Sequence, residues 1–158
     1  MSIRIGTRGS KLALAQTATV CKKLSLLGID AEQVIMSTQG DTTTGVPLHE
    51  IGGQGVFVRA LDDAILTGTI DCAVHSMKDI PAFRPSGLFT AAILKRDSPA
   101  DYFACTGSPD TARVIGTSST RRKAQLLRNN PEVIIRDLRG NVDTRIRKMA
   151  SGEYDAIM

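Results

Sequence analysis

The chain alternates short apolar strands with amphipathic helices, separated by glycine, proline and hydroxyl-bearing turns. Ile3-Arg4-Ile5 has the two-residue period of a strand, Gly6-Thr7-Arg8-Gly9 reads as a turn, and Ser10 can cap a helix reaching about Leu27. In that helix Ala13, Gln16, Val20, Leu24 and Leu27 fall on one face, and Gly28 is placed to stop it. Gln33–Ser37 predicts a second strand. A polar turn and the glycine-rich Gly52-Gly53-Gln54-Gly55 follow, then a helix over about Val56–Leu66 with Phe57, Leu61 and Ile65 inward and Gly68 at its end. Asp71–His75 and Leu88–Leu94 predict two more strands. Past a charged, proline-containing stretch the pattern restarts, with strands at Tyr102–Cys105, Val114–Ile115 and Val133–Ile135. Helices are predicted over Ser119–Asn129 and Val142–Ser151. The last residues, Tyr154–Met158, read as a strand just beginning, which suggests an incomplete chain.

Strands alternating with helices at these spacings predict an α/β fold with mostly parallel, mixed sheets flanked by helices. The expected layout is two lobes, residues 1–96 and 102–158, joined by a linker at 97–101. One internal similarity supports it: Ile5-Gly6-Thr7-Arg8-Gly9-Ser10-Lys11 returns as Ile115-Gly116-Thr117-Ser118-Ser119-Thr120-Arg121, 110 residues on. Each is a strand, a Gly-Thr turn, a hydroxyl cap and a helix with cations nearby. A helix N-terminus offers unpaired N–H groups and the positive end of the dipole, so it suits a carboxylate or phosphate. Two such units predict two lobes facing a cleft that holds an anion.

Composition narrows the partners. The 158 residues carry 20 Lys+Arg against 16 Asp+Glu, a net +4, and 42% are hydrophobic, which excludes wholesale disorder. The charge is concentrated: Arg113–Lys148 holds ten cations against Glu132, Asp137 and Asp143. Nucleic acid is disfavoured, because aromatics are only 4% and none lies in the basic stretch to stack on bases. No run reaches the ~18 apolar residues of a membrane span. The opening Met-Ser-Ile-Arg-Ile lacks the apolar core of a signal peptide, so a cytoplasmic location is expected. Cys21, Cys72 and Cys105 are widely spaced and read as small buried hydrophobes; His49 and His75 have no metal-ligand spacing, so no metal is expected.

Arg121 and Arg122 stand in the first turn of a helix, behind Thr117, Ser118 and Ser119. Cations there oppose the macrodipole, so a bound anion explains them better than helix stability does. Arg139 sits in a post-strand turn and Arg145 in the helix after it, and the guanidinium fork suits carboxylates. Val74-His75-Ser76-Met77-Lys78-Asp79 leaves a strand where α/β folds place ligands. There Asp79 is either a surface partner of Lys78 or a carboxylate able to move a proton or stabilise a cation. The Gly52–Gly55 segment lacks the Gly-Lys-Ser/Thr ending of a phosphate loop.

At these residues the chain resembles the porphobilinogen deaminase (hydroxymethylbilane synthase) family. The matching segments are Arg4–Gln16, Val74–Asp79, Gly116–Arg122, Leu138–Arg145 and Gly152–Ile157, in family order, with Thr38–Asp41 and Gly52–Phe57 as two more. The resemblance implies a transferase of tetrapyrrole biosynthesis. It would join four porphobilinogen molecules head to tail, with loss of ammonia, to hydroxymethylbilane, primed by a covalent dipyrromethane cofactor. It also implies lobes like those of periplasmic binding proteins, and a monomer whose partners are porphobilinogen and the growing pyrrole chain. Arg8, Ser10, Arg121, Arg122, Arg139 and Arg145 would bind the acetate and propionate groups, with Ser76, Lys78, Thr117, Ser118 and Ser119 assisting. Asp79 would bind pyrrole N–H groups and stabilise the azafulvene cation formed as ammonia leaves. Two departures stand out. Gln54 replaces a common lysine of the glycine-rich loop, while Arg59 keeps a cation close by. The cofactor-bearing cysteine belongs to a third, C-terminal domain that these 158 residues do not contain, so the chain alone is expected to be inactive. The competing reading is a non-enzymatic two-lobed protein for small anions.

Overall fold

The computed structural model describes residues 2–37 and 58–158. These fold as two compact units, Met1–Ile93 and Leu94–Met158. In the first unit β1 (Ile3–Arg8), α1 (Lys11–Ser25), β2 (Ala31–Met36), α2 (Arg59–Leu66) and β3 (Cys72–Ala73) build a parallel sheet of order β2-β1-β3. Strand β1 pairs with β2 from Ile3↔Ala31 to Arg8↔Met36, and with β3 at Ile5↔Cys72 and Gly6↔Ala73. As the central strand it buries Ile5, Gly6 and Thr7 in succession, so strict alternation fails there. The expected turn at Gly6–Gly9 is therefore corrected: β1 continues to Arg8. The buried Thr7 hydroxyl is satisfied by Thr17 of α1 at 2.8 Å. Leu61, Ala64 and Ile70 form the core between α2 and the sheet.

The second unit contains β4 (Ala104–Cys105), β5 (Val114–Gly116), α3 (Thr120–Asn129), β6 (Ile134–Arg136), α4 (Val142–Ala150) and β7 (Ala156–Ile157). Its sheet runs β4-β7-β5-β6, parallel except for β4 against β7. Successive strand residues point to opposite faces, which yields two cores. Ile115, Val133 and Ala156 pack with Leu126 and Leu127 of α3, while Leu138, Tyr154 and Ile157 pack with Met149 of α4.

The second unit repeats the first. The order β2-β1-β3 returns as β6-β5-β7, with the same parallel pairings. Gly68 (φ +71°) and Gly152 (φ +83°) close α2 and α4 in left-handed turns. In each, the residue after the glycine donates back to the helix, Thr69 N to Ala64 O and Glu153 N to Lys148 O. Three residues after each glycine an aspartate ties the last strand to the start of the central one. Asp71 accepts from Arg4 N at 2.7 Å, and Asp155 from Arg113 N and Val114 N at 2.9 and 2.8 Å. Asp71 also takes both Arg4 Nε and a terminal nitrogen, and these bonds hold its carboxyl at about 2, below its ordinary 3.8. A carboxyl lowered on folding stabilises above its unfolded value and loses that contribution as pH falls through its folded value. Urea midpoints are thus expected to drop between about pH 4 and pH 2, and Asp71→Asn to flatten that arm; an unchanged profile would remove Asp71 from this role.

Two expectations need correction. Leu88–Leu94 forms no strand, and Phe89 and Ile93 are 82% and 72% exposed. An apolar run becomes a strand only when its backbone pairs with a neighbouring strand, and no strand among the described residues pairs with this segment. Leu27 is exposed too, because α1 ends at Ser25 and the turn to Gly28 (φ +75°) swings it off the inner face.

Candidate functional site

In each unit the chemistry-bearing residues leave the C-terminal edge of the sheet. In the first unit β1 ends at Arg8, and Ser10 caps α1 by accepting from Ala13 N at 3.3 Å. Beside it, Val74 N donates to Gly6 O and prolongs β3 by one residue. Ser76 then donates to Gln16 Oε1 of α1 at 3.4 Å, and the 3-10 turn Met77–Asp79 closes with Asp79 N on Ser76 O at 2.9 Å. Asp79 is half-buried and Lys78 exposed, and among the described residues neither side chain has a hydrogen bond. Arg8, Ser10, Ser76, Lys78 and Asp79 therefore gather where two adjacent parallel strands end.

Asp62 and Arg84, which the pattern did not mark, complete this edge together with His75. Asp62, in the first turn of α2, is buried against Arg84, with 2.5 Å between their charged atoms. Burial raises the Asp62 carboxyl, and Arg84 and then His75 oppose that rise. His75 is depressed, chiefly by burial, with the Asp62 carboxylate working against the shift; its Nε2 is buried with no partner among the described residues. Only the tertiary fold reveals this cluster, since its members come from α2, the exit of β3 and the segment after it.

In the second unit the hydroxyls are committed to the main chain. Thr117 Oγ1 accepts from Ser119 N at 3.2 Å, and Ser119 Oγ accepts from Arg122 N at 3.4 Å as the cap of α3. Ser118 Oγ donates to Leu138 O at 2.8 Å and accepts Leu138 N at 3.1 Å, stitching the β5–α3 turn to the β6–α4 turn. Those turns lie side by side because Thr117 N continues the β5–β6 ladder onto Arg136 O. Arg139 is half-buried there, before Gly140 (φ +111°), and Arg121 is exposed.

Arg122 and Arg145 are the informative pair. Arg145 Nε donates to Gly140 O at 2.8 Å, and its pKa is lowered first by burial and then by the Arg122 charge. Arg122 grips Asp101 through Nε at 3.1 Å and a terminal nitrogen at 2.5 Å, and donates to Met158 O at 3.2 Å. Asp101 lies in the stretch expected to be a linker; its carboxyl is lowered by this contact, and spacing alone did not signal it. Two guanidiniums close enough to repel, at a helix N-terminus, form a site that an added carboxylate would relieve. Asp101 already offsets one of the two charges, so the excess that is left fits one added carboxylate. Arg59, the first residue of α2, is exposed; Gly52, Gly53, Gln54 and Gly55 lie outside the described residues.

No helix among the described residues is long and apolar enough to cross a membrane. The family model described as "Porphobilinogen deaminase, dipyromethane cofactor binding domain" matches residues 3–158. Similar curated relatives include the probable porphobilinogen deaminase of Methanosarcina acetivorans, 52% identical over 98% of this chain and 50% of the relative. That of Archaeoglobus fulgidus is 48% identical over 100% and 56%, and the porphobilinogen deaminase of Nitratiruptor sp. is 46% identical over 100% and 53%. The chain thus spans about half the length of the curated relatives it matches. By that match, the chain belongs to the porphobilinogen deaminase family, and its matched region is the family's dipyrromethane-binding domain.

Proposed function

We propose that these 158 residues form the substrate- and cofactor-binding part of an enzyme that condenses four porphobilinogens to hydroxymethylbilane, releasing one ammonia per condensation. The observation that carries this reading is the family match over residues 3–158, inside which Asp79 and the Arg122–Arg145 pair sit at strand C-terminal edges. Arg121, Arg122, Arg139 and Arg145 bind pyrrole acetates and propionates beside the capped start of α3. Arg8, Ser10, Ser76 and Lys78 do the same at the edge of the first sheet. The hydroxyls of Thr117, Ser118 and Ser119, already engaged with main chain, chiefly hold the turns that present those cations. Asp79 offers a fixed negative charge to the pyrrole N–H groups as positive charge develops on the ring losing ammonia. Dipyrromethane, when bound, supplies the nucleophilic pyrrole carbon that the first substrate joins.

The family attaches that cofactor to a cysteine of a third domain, a motif in which none of Cys21, Cys72 and Cys105 stands. We infer that the 158 residues alone bind substrate as a monomer, without turning it over. Incubation with porphobilinogen, then acid and Ehrlich reagent, is expected to leave no colour on the chain and no product; colour on the chain, or product, would overturn the inference of inactivity. Titration calorimetry tests the binding itself. Porphobilinogen is expected to bind well above succinate, whereas equal affinity would favour a general small-anion-binding protein.

A further inference from the structure

We propose that the buried Asp62–Arg84 ion pair positions Asp79, by pinning the segment that carries it against α2. The inference rests on the reading of Asp79 given above. In hydrogen bonds among the described residues, that segment is otherwise weakly anchored. On its upstream side, Ser76 reaches Gln16 of α1 through one 3.4 Å hydrogen bond. Within the turn, Asp79 N and Ile80 N close short loops on Ser76 O and Met77 O, at 2.9 and 3.3 Å, which shape the turn without attaching it to anything. After Ile80 no helix or strand follows until β4, and Pro81 and Pro85 have no N–H to give to a ladder. Arg84 is where this run is tied back. Five residues beyond Asp79, it crosses to Asp62 on α2, where the side chains are only 17% and 6% exposed.

The pair is poorly suited to raising overall stability. Two charges taken from water recover little beyond their desolvation cost, and an apolar pair of the same volume holds a core as well. Arg84 Nε, moreover, is buried with no partner among the described residues, so the fork is used at one nitrogen only. What the contact supplies is direction. A guanidinium held by one buried carboxylate fixes where residue 84 sits, and the prolines at 81 and 85 restrict the backbone between it and Asp79. Asp62 is itself immobilised in the first turn of a helix whose Leu61 and Ala64 lie in the core. Asp62 and Arg84 are accordingly positioning residues, and Asp79 is the group they place.

Amide hydrogen exchange on the 158-residue chain separates pinning from bulk stability, because the Asp79 and Ile80 amides report the turn and those of β1 report the sheet. In Arg84→Met the turn amides are expected to exchange roughly tenfold or more faster relative to the β1 amides. Arg84→Lys is expected to recover part of that protection. The double variant Asp62→Leu/Arg84→Met removes the stranded charge, so β1 protection and the urea midpoint return towards wild type while the turn stays fast. Turn amides that follow β1 in every variant, or a double variant with a fully protected turn, would overturn the proposal. Porphobilinogen affinity, measured on the same samples, is expected to fall with the turn's opening. If the wild-type chain binds no porphobilinogen, the reading of the site fails while the exchange ratios still decide the pin.

Discussion

Asp79→Asn, introduced into a porphobilinogen deaminase carrying these 158 residues, is expected to lower turnover by about 10²–10³-fold while the protein folds normally. Folding is spared because the carboxylate makes no hydrogen bond among the described residues; the turn is closed by the Asp79 backbone N–H, which asparagine keeps. Turnover falls because the amide occupies the same volume without the charge. It can still accept from a pyrrole N–H, but it cannot offset the positive charge that grows as ammonia departs. Rates of hydroxymethylbilane formation, set beside circular dichroism and a thermal midpoint, make the comparison. A near-normal rate would end the assignment, and a lowered midpoint would reassign Asp79 to folding.

The second large effect concerns Gly116. It lies in the central strand β5, and a Cβ added there would stand 2.8 Å from Tyr154 Cδ1 and 3.0 Å from Leu138 Cδ2. Neither neighbour can yield easily. The Tyr154 ring is held by its hydroxyl, which donates to Asp137 O at 2.7 Å, and Leu138 is fully buried. Gly116→Ala is expected to cost about 1–3 kcal/mol of stability, and Gly116→Val more, since overpacking forces side chains from their rotamers. Gly107→Ala, where an added Cβ meets nothing within 4 Å, serves as the control and should leave the urea midpoint almost unchanged. Equal midpoints for the Gly116 and Gly107 variants would refute the packing argument. Gly6, the counterpart of Gly116 in the first unit, is similarly enclosed by Ile70 and Leu61.

Both predictions use positions that the pattern of residues already singled out. Ser10 is recognisable as a helix cap, and Gly28 and Gly68 as helix stops, because the chemistry of a helix end involves neighbours a few residues apart. The likeness between Ile5–Lys11 and Ile115–Arg121 foreshadowed a repeat that extends to strand order and helix closure. Its aspartates went unmarked. Asp71 and Asp155 act on residues 67 and 41 to 42 positions away, and no local period announces a bond of that range.

The local character of the chain was thus determined by sequence alone: an α/β alternation, the caps, the glycine stops, and a concentration of arginine that calls for carboxylates. Such features depend on backbone sterics, hydrogen-bond valence and charge count, which act over a few residues. The tertiary structure decided which polar groups are consumed by the fold and which remain for a ligand. It commits Ser118 to Leu138 and Arg122 to Asp101, while setting Arg145 beside Arg122 with charge to spare. It also denied Leu88–Leu94 a strand, since an apolar run obtains its backbone partners only from what lies beside it. Pairing across many residues depends on the chain's path in space, and that path is known only once the sheets are assembled.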